Sequence, residues 1–208
     1  FRSRNVMDAS IACARAGVTT GEWGAILRSV YGEYRAPTGV TLVATDGGAP
    51  GIEDLRARVR LLAARLGEPP RLLMGKPGLD GHSNGAEQIA TRAADTGLEV
   101  IYDGIRMSPD QLIARIVETK AHLVGLSILS GSHVPLVRDV MNRMRSAGLA
   151  GIPVVAGGII PAEDIHILKQ LGVAAVYTPK DFELNRIVSD LIGMIEASAA
   201  KAGAARGS

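Results

Sequence analysis

The stretch LLMGKPGLDGHSNGAEQIATRAADTGLEVIYD, Leu72–Asp103, decides the fold. It opens on a short apolar run, Leu72–Lys76, and passes into a loop rich in glycine and proline. A helical stretch, Asn84–Thr96, then leads to a second apolar run, Glu99–Asp103. Short apolar runs bounded by turn residues read as buried strands. A helix between two of them reads as the crossover that joins parallel strands.

The same unit repeats downstream. Leu123–Ile128, Val154–Gly158 and Ala174–Thr178 are further strand-like runs, and Pro109–Thr119, Val134–Ala147, Ala162–Leu171 and Glu183–Ala197 are helical stretches. Strands alternating with helices argue for an α/β domain with a parallel sheet covered on both faces. Five units fall short of an eight-fold barrel, which needs about 250 residues. They fit an open five-stranded flavodoxin-like (Rossmann-like) sheet, and right-handed crossovers favour the order 2-1-3-4-5. The expected domain covers residues 70–198, with an Ala/Gly-rich flexible tail at 199–208.

Upstream, residues 1–35 read as two helices. Asn5–Ala16 carries Val6, Ile11 and Cys13; Thr20–Tyr34 carries Trp23, Ile26, Leu27, Val30 and Tyr31, with a start signal at Thr19 or Thr20. Two such helices have too little surface for a core of their own. Residues 36–69 hold a linker rich in glycine and proline, then a helix, Glu53–Leu66, stopped by Pro69 and Pro70. The chain opens on Phe1 rather than Met, as a piece of a longer polypeptide would.

Composition narrows the function classes. The chain has 208 residues, 47% hydrophobic and 3% aromatic, so its core must come from aliphatic side chains. A net charge of +2 makes no electrostatic case for nucleic acid. The arginines at 56, 58, 60 and 65 read as a solvated helix face, because Leu55, Val59, Leu62 and Leu66 take the apolar one. The single cysteine, Cys13, excludes an intrachain disulfide and reads as a small buried residue. No apolar run reaches the length of a membrane span, no signal peptide is evident, and a cytoplasmic setting is the expectation.

In an open parallel sheet, ligands bind beyond the carboxyl ends of the strands, where the strand order reverses. The first loop there reads Lys76-Pro77-Gly78-Leu79-Asp80-Gly81-His82-Ser83-Asn84-Gly85. Its glycine spacing does not fit a dinucleotide fingerprint, and it lacks the Gly-Lys-Ser/Thr ending of a phosphate loop. A phospho-receiver site would need an Asp after the third strand, where Ser127 stands. What remains is Asp80-Gly81-His82, with Lys76 four residues before the Asp. A neutral imidazole ligates transition metals, and its second nitrogen commonly donates to a carboxylate. One histidine is a poor site for a bare ion but suffices for a metal already held by a macrocycle.

Asp80-x-His82-x-x-Gly85, with Ser127-x-Leu129 after the third strand and Gly157-Gly158 after the fourth, resembles the cobalamin signature of methylmalonyl-CoA mutase, glutamate mutase and methionine synthase. The likeness covers Arg71–Ala197. It implies that His82 is the lower ligand of cobalt, with Asp80 and Lys76 behind it. It implies further that Gly81, Ser83, Asn84 and Gly85 line the loop's cofactor face and that Ser127 and Leu129 line a pocket for the displaced nucleotide tail. Gly157 and Gly158 would leave room for that tail, with Tyr177, Thr178 and Pro179 closing over it. Ser83-Asn84 and Leu126–His133 resemble the ethylmalonyl-CoA branch of the acyl-CoA mutases. Ala9–Trp23 resembles the end of their catalytic region.

The implied activity is that of an adenosylcobalamin-dependent isomerase converting ethylmalonyl-CoA to methylsuccinyl-CoA by a radical route. This stretch would bind the cofactor without catalysing alone. The implied partners are cobalamin, an acyl-CoA-binding barrel and a second copy of the chain; neither nucleic acid nor membrane is implied. A methylmalonyl-CoA mutase domain, a corrinoid methyl carrier and a non-catalytic interaction domain are the alternatives. Of the other candidates, His133 reads either as site-facing or as a helix opener, His122 and His166 as surface residues, Lys180 and Asp181 as groups at the ligand rim or, more simply, Asp181 as a helix N-cap, and Met141 and Met144 as core.

Overall fold

The computed structural model describes residues 5–32, 50–78, 84–102 and 106–206. The chain divides into two units, 1–44 and 45–208.

In the first unit, α1 (Val6–Arg15) and α2 (Thr20–Tyr31) are set by their caps. Asn5 Oδ1 accepts from the Met7 amide at 3.0 Å, and Thr19 and Glu22 form a reciprocal capping box. The Trp23 indole donates to Ser10 Oγ at 2.9 Å and ties the two helices. Neither helix buries a residue, and Val6, Met7, Ile11, Ile26, Val30 and Tyr31 are exposed. Cys13, expected to be buried, is half-exposed, because a two-helix unit has no interior to put it in.

The second unit holds a parallel sheet of β1 (Arg71–Gly75), β2 (Glu99–Tyr102), β3 (Leu123–Ser127), β4 (Val154–Gly157) and β5 (Ala175–Tyr177), in the order β2-β1-β3-β4-β5 expected from the sequence. The helices are α3 (Ile52–Leu66), α4 (Asn84–Asp95), α5 (Pro109–Thr119), α6 (His133–Ser146), α7 (Ala162–Gln170) and α8 (Leu184–Arg206). Side chains alternate along each strand, so each strand feeds two cores. Leu73, Val124, Leu126 and Ala156 pack against Leu112 and Ile116 of α5, Val137 and Met144 of α6, and Leu168 of α7. Leu72, Met74, Leu123 and Val155 face α3, α4 and α8.

Two boundaries differ from the sequence reading. α3 is not an appendage of the linker. Leu55, Val59 and Leu62 recur at i, i+4 and i+7 and are buried in the second core, each worth about 1.5–3 kcal/mol. Arg58 leaves its expected solvated face to pair with Glu196 at 2.8 Å and Ser189 Oγ at 2.7 Å on α8. The expected tail is helical to Arg206, since alanine is the best helix former and no proline intervenes.

Two side chains also move from their expected roles. His122 is half-buried: Nδ1 accepts from the Arg71 amide at 3.1 Å, and Nε2 lies 3.4 Å from Glu68. Asp181 does not cap α8. It accepts from the Thr178 amide at 2.8 Å and the Thr178 hydroxyl at 3.2 Å, closing the turn after β5. His166 is exposed, and Met141 and Met144 are core, as read from the sequence.

Past the end of β4, Gly158 has φ +152°, and a Cβ there would stand 1.8 Å from the Ile128 carbonyl oxygen. No side-chain movement relieves a backbone clash. Gly158→Ala should therefore cost about 3 kcal/mol or more, read as a lowered denaturant midpoint.

Burial, and then the Arg71 guanidinium, hold the His122 imidazole below its ordinary range. The unfolded chain takes up this proton near pH 6.5, earlier than the folded one. Stability from this group is full above that pH and is lost as pH falls toward the folded value. Denaturant midpoints at pH 7.5 and 5 should fall further for the parent than for His122→Gln.

A candidate cofactor cavity at the strand switch point

β1 ends at Gly75 and its chain continues through Lys76 and Pro77 into the loop that reaches α4. The Gly78 amide donates to Met107 O at 3.1 Å, and the Met107 amide to Lys76 O at 3.0 Å, so the loops after β1 and β2 are laced together. Lys76 is 1% exposed, and its ammonium donates to Ser127 Oγ at 3.2 Å across the β1–β3 boundary. A buried ammonium requires such partners. Because it only donates, the serine oxygen accepts, and the hydroxyl proton is left for an acceptor elsewhere.

Beside this pair lies a cavity of about 330 Å³, between the carboxyl ends of β1, β3, β4 and β5 and the helices α4 and α8. Ser127 and Leu129 line it from β3, and Gly157 and Gly158 from β4. Tyr177, Thr178 and Pro179 line it from β5, and Gly85 from the first turn of α4. These are the described residues that the sequence nominated, Lys76 excepted, and the fold brings them together. Asp80, Gly81, His82 and Ser83, with the side chain of Asn84, lie outside the described residues. Their segment is bounded by Gly78 and Asn84, both at the carboxyl end of β1.

The cavity suits an apolar ligand approached closely by backbone. A Cβ added at Gly85 would meet nothing within 4 Å, and one at Gly157 would meet only Tyr177 O, at 3.9 Å. These glycines leave open space where side chains would stand. Burial, then the carboxylates of Asp190 and Asp181, raises the Tyr177 phenol above its ordinary range, so it remains a neutral hydroxyl.

Sequence reasoning missed the walls contributed by the helices: Gln88 and Ile89 on α4, and Leu184, Ile187 and Leu191 on α8. Their spacing is that of any core-facing helix stripe. It also missed Ile159 and Phe182, 62% and 73% exposed at the rim. A large apolar residue following Gly158 or Asp181 in a strand-end loop was the available signal.

Ethylmalonyl-CoA mutase of Methylorubrum extorquens is 59% identical over 202 residues, covering 97% of this chain and 29% of that protein. The enzyme of the same name from Cereibacter sphaeroides is 56% identical over 94% of this chain and 30% of its own length. Human mitochondrial methylmalonyl-CoA mutase is 34% identical over 84% of this chain. The chain thus spans under a third of the length of the curated relatives it matches. Among solved structures, a cobalamin-binding protein from Desulfitobacterium hafniense superimposes with a TM-score of 0.54 at 20% identity, covering 72% of this chain and 73% of that one. The monomethylamine corrinoid protein of Methanosarcina barkeri gives 0.51 at 14%, over 67% of this chain and 63% of its own. These two bear on the fold alone. The model of the B12 binding domain matches residues 70–182, from the residue before β1 to the cavity rim at Phe182, and the chain belongs to that family.

Proposed function

We propose that this chain is the cofactor-holding part of an ethylmalonyl-CoA mutase. It binds adenosylcobalamin with His82 as the lower ligand of cobalt and the nucleotide tail in the cavity. The observation that carries this is the apolar, glycine-backed cavity that gathers Gly85, Ser127, Leu129, Gly157 and Gly158 at the strand ends. The 59% identity to an ethylmalonyl-CoA mutase over nearly the whole chain supports the acyl-CoA specificity over its methylmalonyl counterpart, at 34%.

The bound cofactor supplies a carbon-centred radical for isomerisation of ethylmalonyl-CoA to methylsuccinyl-CoA. The protein's part is to bind and orient. Asp80 would hold the His82 ring by accepting from its second nitrogen. Ser127, its oxygen occupied by Lys76, offers its hydroxyl proton to an acceptor nitrogen of the tail. Gly85 and Gly157 admit the tail, Gly158 lets the β4 loop pass against the Ile128 backbone beside it, Leu129 packs on the tail, and Tyr177, Thr178 and Pro179 close its outer side.

The first unit fits the reading of residues 1–35 as the end of a catalytic region. Its exposed Ile26, Val30 and Tyr31 belong against the acyl-CoA-binding barrel that the longer relatives have room for. The chain would work as a homodimer in the cytoplasm. Among the described residues no helix is long and apolar enough to cross a membrane.

Titration with adenosylcobalamin, followed by absorbance, tests the reading. The parent should shift to the base-off, histidine-on spectrum, and His82→Ala should not; a folded parent that gives no shift overturns the cofactor assignment. Gly157→Val, which fills cavity space at a position with ordinary backbone angles, should keep the parent's melting temperature. It should weaken uptake about tenfold or more, measured in the same titration.

A further inference from the structure

The loops after β3 and β4 each contribute a side chain to the cavity, Leu129 and Ile159. At their start they are bonded together: the Ile128 amide donates to Gly157 O at 2.9 Å. Beyond that point the loops part, one running to α6 and the other to α7. They meet again at their far ends.

His133, the first residue of α6, is 3% exposed, and its Nε2 lies 2.8 Å from Oδ2 of Asp164, the third residue of α7. A carboxylate only accepts, so Nε2 carries the hydrogen of this bond. The backbone holds the carboxylate in place, since the Asp164 amide donates to Pro161 O at 3.0 Å. On the imidazole's other side, Nδ1 lies 3.5 Å from Ser130 O, within its own loop. The Ser130 and Ser132 hydroxyls, 2.8 Å apart, brace that loop further. The pair sits on the α6–α7 face, opposite the α4–α8 face where the cavity opens. It is therefore not a lining group.

We infer that His133 and Asp164 are a positioning pair. They fix the separation of the two loops from behind the sheet and so set where Leu129 and Ile159 stand around the cavity. Each loop is pinned at its start by the sheet ladder and at its end by this bond. Removing one partner leaves a buried polar group unpaired and frees both loop ends at once. The consequence for cobalamin rests on the function proposed above; the consequence for the loops does not.

Hydrogen exchange of residues 127–133 and 157–163, with adenosylcobalamin titration alongside, tests this in Asp164→Ala and Asp164→Asn. Alanine should speed exchange in both segments about tenfold and weaken cobalamin uptake about tenfold, leaving β1 and α8 as in the parent. Asparagine keeps an acceptor oxygen and should restore both. Exchange within about twofold of the parent in both segments overturns the inference. So does an even rise across β1 and α8, which is what a general loss of stability gives. Unchanged affinity in a parent that binds cobalamin overturns the link to the cavity. Loop exchange that responds as expected in a parent that takes up no cobalamin upholds the pair's role and sinks only the cofactor reading.

Discussion

The reversal of strand order between β1 and β3 is the constraint on which the site depends. β1 sits between β2 and β3, so the chain leaving β1 must cross over in one direction and the chain leaving β3 in the other. With right-handed crossovers, that sends α4 to one face of the sheet and α6 to the opposite face. α4 and α6 therefore start on opposite sides of the sheet's carboxyl edge. The cavity lies where this topology leaves room. Side chains decide what the room is like. Met74, Val155 and Ile187 make it apolar, while Gly85 and Gly157 leave it open.

A charge placed at that crevice has to be accounted for. Lys76 follows the last residue of β1 with its ammonium out of water, where an unpaired cation would be costly. Its bond to Ser127 crosses the same β1–β3 boundary that the topology opens. One side chain thereby connects the glycine loop to the floor of the cavity.

The fold was legible because apolar runs and turn residues alternate without interruption from Leu72 to Tyr177, and handedness leaves few ways to connect them. Strand ends moved by one residue at most sites, which is the ordinary ambiguity of the last hydrogen bond. The cavity's strand-end residues were legible through motif resemblance. Its helix walls were not, because Ile89, Ile187 and Leu191 obey the same spacing whether they face a core or a ligand. The pairs His122–Glu68 and His133–Asp164 were invisible for a different reason. Each joins residues more than thirty positions apart, or across a strand boundary, and no local pattern marks such a partner. α3 was misread because a proline pair separates it from β1, although its own leucine stripe showed that it needed a core.

Polar bonds cross-link the helices on both faces of the sheet. On the α5–α6–α7 face, polar bonds cross-link the layer: Arg143 to Asp110, His133 to Asp164, and Arg145 to Leu171 O. Such bonds are directional and fix separations as well as proximity. On the other face, α4 meets the core through Ala86, Ala90 and Ala93, small side chains that bring the helix close, and its last carbonyl, Asp95 O, accepts from Arg56 Nε of α3 at 2.9 Å. The cavity opens on this second face, with α4 as one wall and the glycine loop feeding directly into that helix. The β3 and β4 walls of the cavity are therefore tied to the polar cross-links behind the sheet, and its α4 wall to α3 and to the close packing of Ala86, Ala90 and Ala93.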